Sequence, residues 1–206
     1  MNWGLFGGTF DPVHFGHLRA ASELAAVLNL GRVIFIPAAT PPHKTSRVIT
    51  PFDHRLLMTR LAVAGNDRFS VSDIEGHREG KSFSIETVRY FLNAQNESLN
   101  LYFLTGQDAF DAITTWRDWE ALLGLCHFAV MTRPGYQNEG LEKILPADMA
   151  AKYVYDDRQD CFINPQGKGI YFRKTTFLDI SSSDIRQSIQ SGRSVRYLTP
   201  DAVIRY

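Results

Sequence analysis

Short apolar runs alternate with longer mixed segments along most of this chain, and each run predicts an element. Trp3 to Phe6 is a compact apolar run, and Leu18 to Leu28 follows it at helical spacing, so the first unit reads as strand, tight turn, helix. Arg32 to Pro37 reads as a buried strand. Thr50 and Pro51 predict a helix start, with Thr as cap and Pro at the first helical position. Phe69 to Ser72 is a short strand, and Ile85 to Ala94 a helix capped by Ser82 or Ser84. Leu99 to Leu104 is the next strand, followed by two short helices between Phe110 and Leu125. Phe128 to Met131 and Gly169 to Phe172 complete the strands. Ser182 to Gln190 predicts a helix ending near Gly192, and Thr199-Pro200 opens a last one. Residues 136 to 168 carry no regular pattern.

Repeated strand–helix units imply an α/β fold: a Rossmann-like, doubly wound parallel sheet with helices on both faces. The expectation is a single domain over residues 1–206 with a small C-terminal helical part. In such sheets ligands bind outside the carboxyl ends of the strands. The polar clusters follow strands in this way: Gly7 to His17, Pro41 to Lys44, Gly106 to Asp108, and Arg133.

Bulk composition narrows the classes. The chain has 206 residues, 44% hydrophobic and 21% charged, which suits one globular core. Lys and Arg number 22 against 22 Asp and Glu, so no basic footprint for nucleic acid is expected. No run approaches ~20 apolar residues, and no signal peptide is expected at the N-terminus. Cys126 and Cys161 do not suggest a disulfide framework and are expected as reduced thiols in a cytoplasmic protein.

The stretch Gly7-Gly8-Thr9-Phe10-Asp11-Pro12-Val13-His14-Phe15-Gly16-His17 carries the chemistry. Glycines without a Cβ let backbone approach a ligand. The helix that follows brings free N–H groups and its positive dipole end, which suits a phosphate. His14 and His17, three apart, share a face of a first helical turn. Neither the dinucleotide fingerprint G-x-G-x-x-G nor the Walker pattern is present. Metal binding by the His pair needs further ligands, and no Cys or second His pair stands near, so no metal site is expected. Structural histidines capping a turn remain the bland alternative. A second cluster, Asp179-Ile180-Ser181-Ser182-Ser183-Asp184-Ile185-Arg186, offers hydroxyls and N–H groups at a helix start, with an Arg one turn later.

Gly7 to His17 resembles the H-x-G-H form of the (H/T)xGH signature of nucleotidyltransferases, and its G-G-T-F-D-P-V-H-x-G-H version is similar to the bacterial nicotinate-nucleotide adenylyltransferases. Ile180 to Arg186 resembles that family's I-S-S-T-x-I-R, with Ser183 where Thr is usual. Pro41-Pro42-His43-Lys44 resembles P-P-H-K, Gly106-Gln107-Asp108 resembles G-Q-D, Thr115-Trp116 resembles T-W, and Arg133-Pro134-Gly135 resembles R-P-G. Ser82-Phe83-Ser84 stands where S-Y-T is common, so the pyridine pocket departs from the pattern at Phe83 and Ser84.

The resemblance implies transfer of AMP from ATP, accompanied by magnesium, to nicotinate mononucleotide, giving nicotinate adenine dinucleotide and pyrophosphate in NAD biosynthesis. It implies His14, His17 and Arg186 as catalytic groups. ATP would be held by Gly7, Gly8, Thr9, Phe10, His14, His17, Gly106, Asp108, Ser181, Ser182 and Arg186. Lys44, Ser84, Trp116 and Arg133 would hold the mononucleotide. Partners beyond ATP and the mononucleotide are not expected: no nucleic acid and no membrane, with a homo-oligomer left open. Open alternatives are a pantetheine-phosphate or nicotinamide-nucleotide adenylyltransferase, or a non-catalytic nucleotide-binding protein.

Overall fold

In a computed structural model, described over residues 1–41, 49–94, 99–133, 135–136 and 140–206, the apolar runs become strands of one sheet. The strands are β1 (Asn2–Gly8), β2 (Arg32–Pro37), β3 (Phe69–Val71), β4 (Asn100–Gly106), β5 (His127–Thr132), β6 (Val154–Asp156), β7 (Cys161–Ile163) and β8 (Gly169–Lys174). The helices are α1 (Phe15–Val27), α2 (Phe52–Val63), α3 (Ser84–Asn93), α4 (Gln107–Asp111), α5 (Trp119–Leu125), α6 (Ala147–Ala150), α7 (Ser182–Gln190) and α8 (Asp201–Arg205). Strand order is β3-β2-β1-β4-β5-β8-β7-β6, so the winding direction reverses at β1. No helix among the described residues is long and apolar enough to cross a membrane.

The sheet is mixed rather than parallel throughout. β2–β3, β4–β5 and β5–β8 pair parallel, whereas β7–β8 and β6–β7 pair antiparallel. The cause is the length of the connections. Only residues 157–160 and 164–168 separate β6, β7 and β8, and a parallel crossover needs about a dozen residues or more. This small meander occupies part of the stretch that has no regular pattern in the sequence.

By density of contact the chain forms two compact units, Met1–Leu5 with Phe83–Thr175, and Phe6–Ser82 with Thr176–Tyr206. In the first, β4 is buried from Leu101 to Thr105 and β5 from Phe128 to Val130, and Ile85, Val88, Phe110, Ile113 and Leu122 are buried in the same unit. Such unbroken burial is what a strand covered on both faces shows. In the second, β2 is buried from Val33 to Pro37, and α1 turns Ala21, Leu24 and Ala25 inward.

Several local signals are resolved differently from the sequence expectation. Pro51 is the N-cap of α2, and the helix starts at Phe52, because the Thr50 carbonyl is drawn to Arg55 instead of opening the helix. Neither Ser82 nor Ser84 caps α3. Phe83 does so in an extended conformation without a side-chain bond, and the Ser82 hydroxyl accepts the Thr40 N–H at 3.2 Å. Between β4 and β5, helix begins at Gln107 and is followed by a 3-10 turn, Ile113–Thr115, before α5. Ser181 does cap α7, accepting the Asp184 N–H at 3.1 Å.

An aromatic cluster joins β1, β2 and β3. The Phe35 ring, fully buried, lies 5.4 Å from Phe6, 5.7 Å from Phe10 and 5.2 Å from Phe69. Truncating such a ring removes its transfer free energy and leaves a cavity. Phe35→Ala is expected to destabilise the protein by about 3–5 kcal/mol, read as a lower urea midpoint. A loss below about 1 kcal/mol would mean that the neighbouring rings refill the space.

Candidate functional site

The turn after β1 is shaped by aromatic packing. Phe10 has φ 47°, in the left-handed region, yet its ring is buried beside Phe6 at 5.6 Å and His17 at 5.1 Å. A Cβ on Gly8 would stand 2.8 Å from this ring, so the space that Gly8 leaves open is occupied by Phe10. After the cis Asp11-Pro12 peptide, the chain is buttressed by the C-terminal segment. The Thr199 hydroxyl donates to the Val13 carbonyl at 2.7 Å, and the Phe15 N–H donates to the Leu198 carbonyl at 3.0 Å.

The two histidines meet at the start of α1. His14 is the N-cap rather than part of the first turn, and His17 is the third helical residue. Their ring centroids are 3.7 Å apart, and the His14 N–H donates to Nδ1 of His17 at 3.2 Å. A Cβ on Gly16 would lie 3.0 Å from Nδ1 of His14, so glycine there leaves room for this ring. His14 is 7% exposed, and its side chain and that of His17 close a reciprocal capping box over the first turn of α1. Burial pushes the His14 pKa down to about 4. It is therefore neutral at pH 7, with one donor and one acceptor nitrogen.

The second cluster reaches the same turn. The Ser182 hydroxyl donates to the Pro12 carbonyl at 2.9 Å. Arg186 pairs with the buried Asp11 carboxylate at 3.5 Å, donates to the Asp11 carbonyl, and reaches the Ser183 hydroxyl at 3.1 Å. Ser181 is committed to its cap, with its hydroxyl also donating to Asp184 at 2.7 Å. Thus Gly7 to His17 and Ser181 to Arg186, far apart in sequence, form one polar cluster around a helix start.

The remaining candidates lie in the other unit. Gly106 ends β4 and caps α4, and Asp108 sits exposed in that helix's first turn. Its carboxylate takes Arg133 at 2.5 Å, an exposed pair that contributes little to stability. Trp116 follows the 3-10 turn, half-buried, with its ring at 77° to that of Phe103 and the centroids 5.7 Å apart. Ser84 opens α3. The Arg117 guanidinium covers the Phe83 ring at 4.7 Å and lies 3.8 Å from Glu86, so residues 116–117 and the start of α3 are neighbours. Lys44 lies outside the described residues. Among the described residues no three His, Cys, Asp or Glu side chains gather where they could share a metal ion.

Comparison with known proteins supplies the relationship. One family model, described as cytidylyltransferase-like, matches residues 5–188. A protein of Citrifermentans bemidjiense named "Probable nicotinate-nucleotide adenylyltransferase" is 47% identical over 206 residues, covering 100% of this chain and 95% of that one. A protein of the same name from Geobacter sp. strain M21 is 46% identical with the same coverage. The chain belongs to the nicotinate-nucleotide adenylyltransferases of the cytidylyltransferase-like family. In fold it is similar to the Plasmodium falciparum nicotinic acid mononucleotide adenylyltransferase complexed with NaAD. The TM-score is 0.70 at 18% identity, with 100% of this chain and 95% of that one covered.

Three contacts in this adenylyltransferase family member were not foreseen from its motifs. Arg55, fully buried, donates to backbone carbonyls around the turn. Asp11 holds Arg186, and Thr199 holds Val13. An Arg in a helix carries an ordinary surface reading, whereas Asp11 within the Gly7 to His17 stretch and Thr199-Pro200 beside a predicted helix start offered a place but no partner.

The buried imidazoles set a pH dependence. The unfolded value for His14 is 6.5 and the folded value about 4. Between these, the unfolded chain takes up a proton that the folded chain refuses, so stability falls as pH drops through that window. His127, pushed down to about 4 by burial and then by Lys168, acts in the same direction. Denaturation from pH 7 to 4.5 is expected to show this fall, and the His14 ring resonances are expected to titrate near pH 4. A His14 midpoint at 6 or above would contradict the burial argument.

Proposed function

We propose that this chain transfers the adenylyl group of ATP to the phosphate of nicotinate mononucleotide. A phosphate oxygen of the mononucleotide attacks the α-phosphorus, the bond to the β-phosphate oxygen breaks, and pyrophosphate leaves. Nicotinate adenine dinucleotide is the product. The observation that carries this reading is the convergence of the stacked His14 and His17 rings with Ser182 and Arg186 on the one turn at the start of α1. Ring N–H donors beside a helix start, with a guanidinium and a serine hydroxyl at the same place, suit a polyphosphate. Membership of the family supports the same reaction.

The nucleophile is ionised at pH 7 and needs no general base. The protein aligns two polyanions and meets the charge that develops. We assign His14 and His17 to the ATP phosphates, with backbone of Gly7, Gly8, Thr9 and Phe10 on the α-phosphate side. Ser181, Ser182 and Arg186 take the β/γ side, where the triphosphate competes with Asp11 for the guanidinium. Gly106 and Asp108 lie on the nucleoside side of ATP. Lys44 and Arg133 receive the mononucleotide phosphate, and Ser84 and Trp116 the pyridine ring. Magnesium enters bound to the triphosphate as part of the substrate, keeping mostly phosphate and water ligands. We read residues 1–206 as one nucleotidyltransferase domain, in keeping with a single family model running through both compact units. We assign the reaction to the cytoplasm, in keeping with the free thiols of Cys126 and Cys161.

Pyrophosphate release from ATP with each acceptor tests this reading. Nicotinate mononucleotide is expected to give a higher kcat/KM than the nicotinamide form, because an amide leaves donors meant for a carboxylate unpaired. Equal values would remove the acid preference. Phosphopantetheine as the best acceptor would overturn the assignment.

Trp116→Ala tests the pyridine subsite. The indole is half-buried and stands steeply against Phe103, so part of its ring is open to a ligand. Aromatic pairing contributes about 0.5–1.5 kcal/mol beyond buried area. KM for nicotinate mononucleotide is expected to rise several-fold with KM for ATP steady. Unchanged constants beside a lower melting temperature would make Trp116 a packing residue.

A further inference from the structure

The largest fully buried side chain among the described residues carries a charge. Arg55, in the first turn of α2, is 1% exposed. Its hydrogen bonds run to main-chain oxygens. Nε donates to the Thr50 carbonyl at 2.8 Å. One terminal nitrogen donates to Thr9 at 2.8 Å and Ala38 at 2.7 Å, and the other to Ala39 at 3.2 Å. These four carbonyls belong to irregular chain after β1, after β2 and before α2. A planar fork of five N–H donors can span such a set, whereas an ammonium acts as a single point.

Arg55 also sets a direction. Carbonyl and N–H of one trans peptide point to opposite sides of the chain. The Ala39–Thr40 peptide shows the effect: its carbonyl faces Arg55, and its N–H turns away to the Ser82 hydroxyl at 3.2 Å. The Thr9–Phe10 peptide is held in the same way. With the Thr9 carbonyl drawn to Arg55, the Phe10 N–H faces the opposite side. The positive φ of Phe10 makes this orientation dependent on its anchors, since an L residue seldom keeps it unaided.

We propose that Arg55 is a positioning residue for adenylyl transfer: by gripping the Thr9 carbonyl it aims the Phe10 N–H at the phosphate being transferred. The proposal rests on the reaction given above. Arg55 never touches the nucleotide. It fixes a donor in advance, so the turn need not reorganise as charge develops.

Arg55→Met and Arg55→Lys test it, the first keeping much of the volume without a buried charge and the second keeping charge without the fork. Both are compared with the parent for melting, for kcat and KM, and for the Phe10 amide resonance on adding MgATP. Expected are cooperative melting, a kcat lower by roughly 10²-fold and a KM for ATP within a few-fold. The ATP-induced shift of the Phe10 amide is expected in the parent and reduced in both variants. A folded variant with kcat within about two-fold of the parent overturns the proposal, as does a Phe10 shift unchanged beside a lowered kcat. If neither variant melts cooperatively, Arg55 is a determinant of folding and the positioning role is wrong. A parent that releases no pyrophosphate with any acceptor fails the underlying reaction, which the variants alone cannot do.

Discussion

The end of β1 depends on where one aromatic ring goes. Phe10 adopts a left-handed backbone conformation, which costs an L residue roughly 1–2 kcal/mol. Its ring is 2% exposed among Phe6, Phe35 and His17, and burying a ring of this kind contributes about 1.5–3 kcal/mol. The packing therefore outweighs the strain. The same placement uses the space beside Gly8, joins the turn to β2 through Phe35, and sets the edge against which the His17 ring rests. A turn held from within can present its outward groups in one arrangement.

Around that turn each polar group is handled by a different physical device. His14 is kept neutral by burial and shares a capping box with His17. The Asp11 carboxylate and the Arg186 guanidinium meet each other. Arg55 meets main-chain oxygens, with the more distant charges of Asp11 and Glu75 favouring its cationic form against its burial. Burying a guanidinium is costly, and hydrogen bonds to every side of the fork offset that cost. Such a network is stiff because any movement strands a buried donor or acceptor. Stiffness suits a site whose task is to align two polyanions rather than to supply a nucleophile.

What the sequence alone determined is local and periodic. β2 at Arg32–Pro37 and α7 at Ser182–Gln190 follow from an unbroken apolar run and from a serine cap with helical spacing. The order of strands and helices, the α/β class, and the two polar clusters at Gly7 to His17 and Ser181 to Arg186 were legible for the same reason. Each is written in consecutive residues. Tertiary structure decided the rest, because the deciding partner lies far along the chain. Ser82 looks like a helix cap but serves Thr40, 42 positions away. Asp11 finds Arg186 across 175 positions, and Val13 finds Thr199 across 186. The antiparallel meander adds two three-residue strands, β6 and β7, too short for a period to register in sequence; β7 pairs with β8 and β6 with β7. Arg55 reads as one more helix-surface cation until β1, β2 and the start of α2 close around it. Apolar burial is written into the chain at every second or fourth residue, but the partner of a buried polar group is chosen only when the chain has folded.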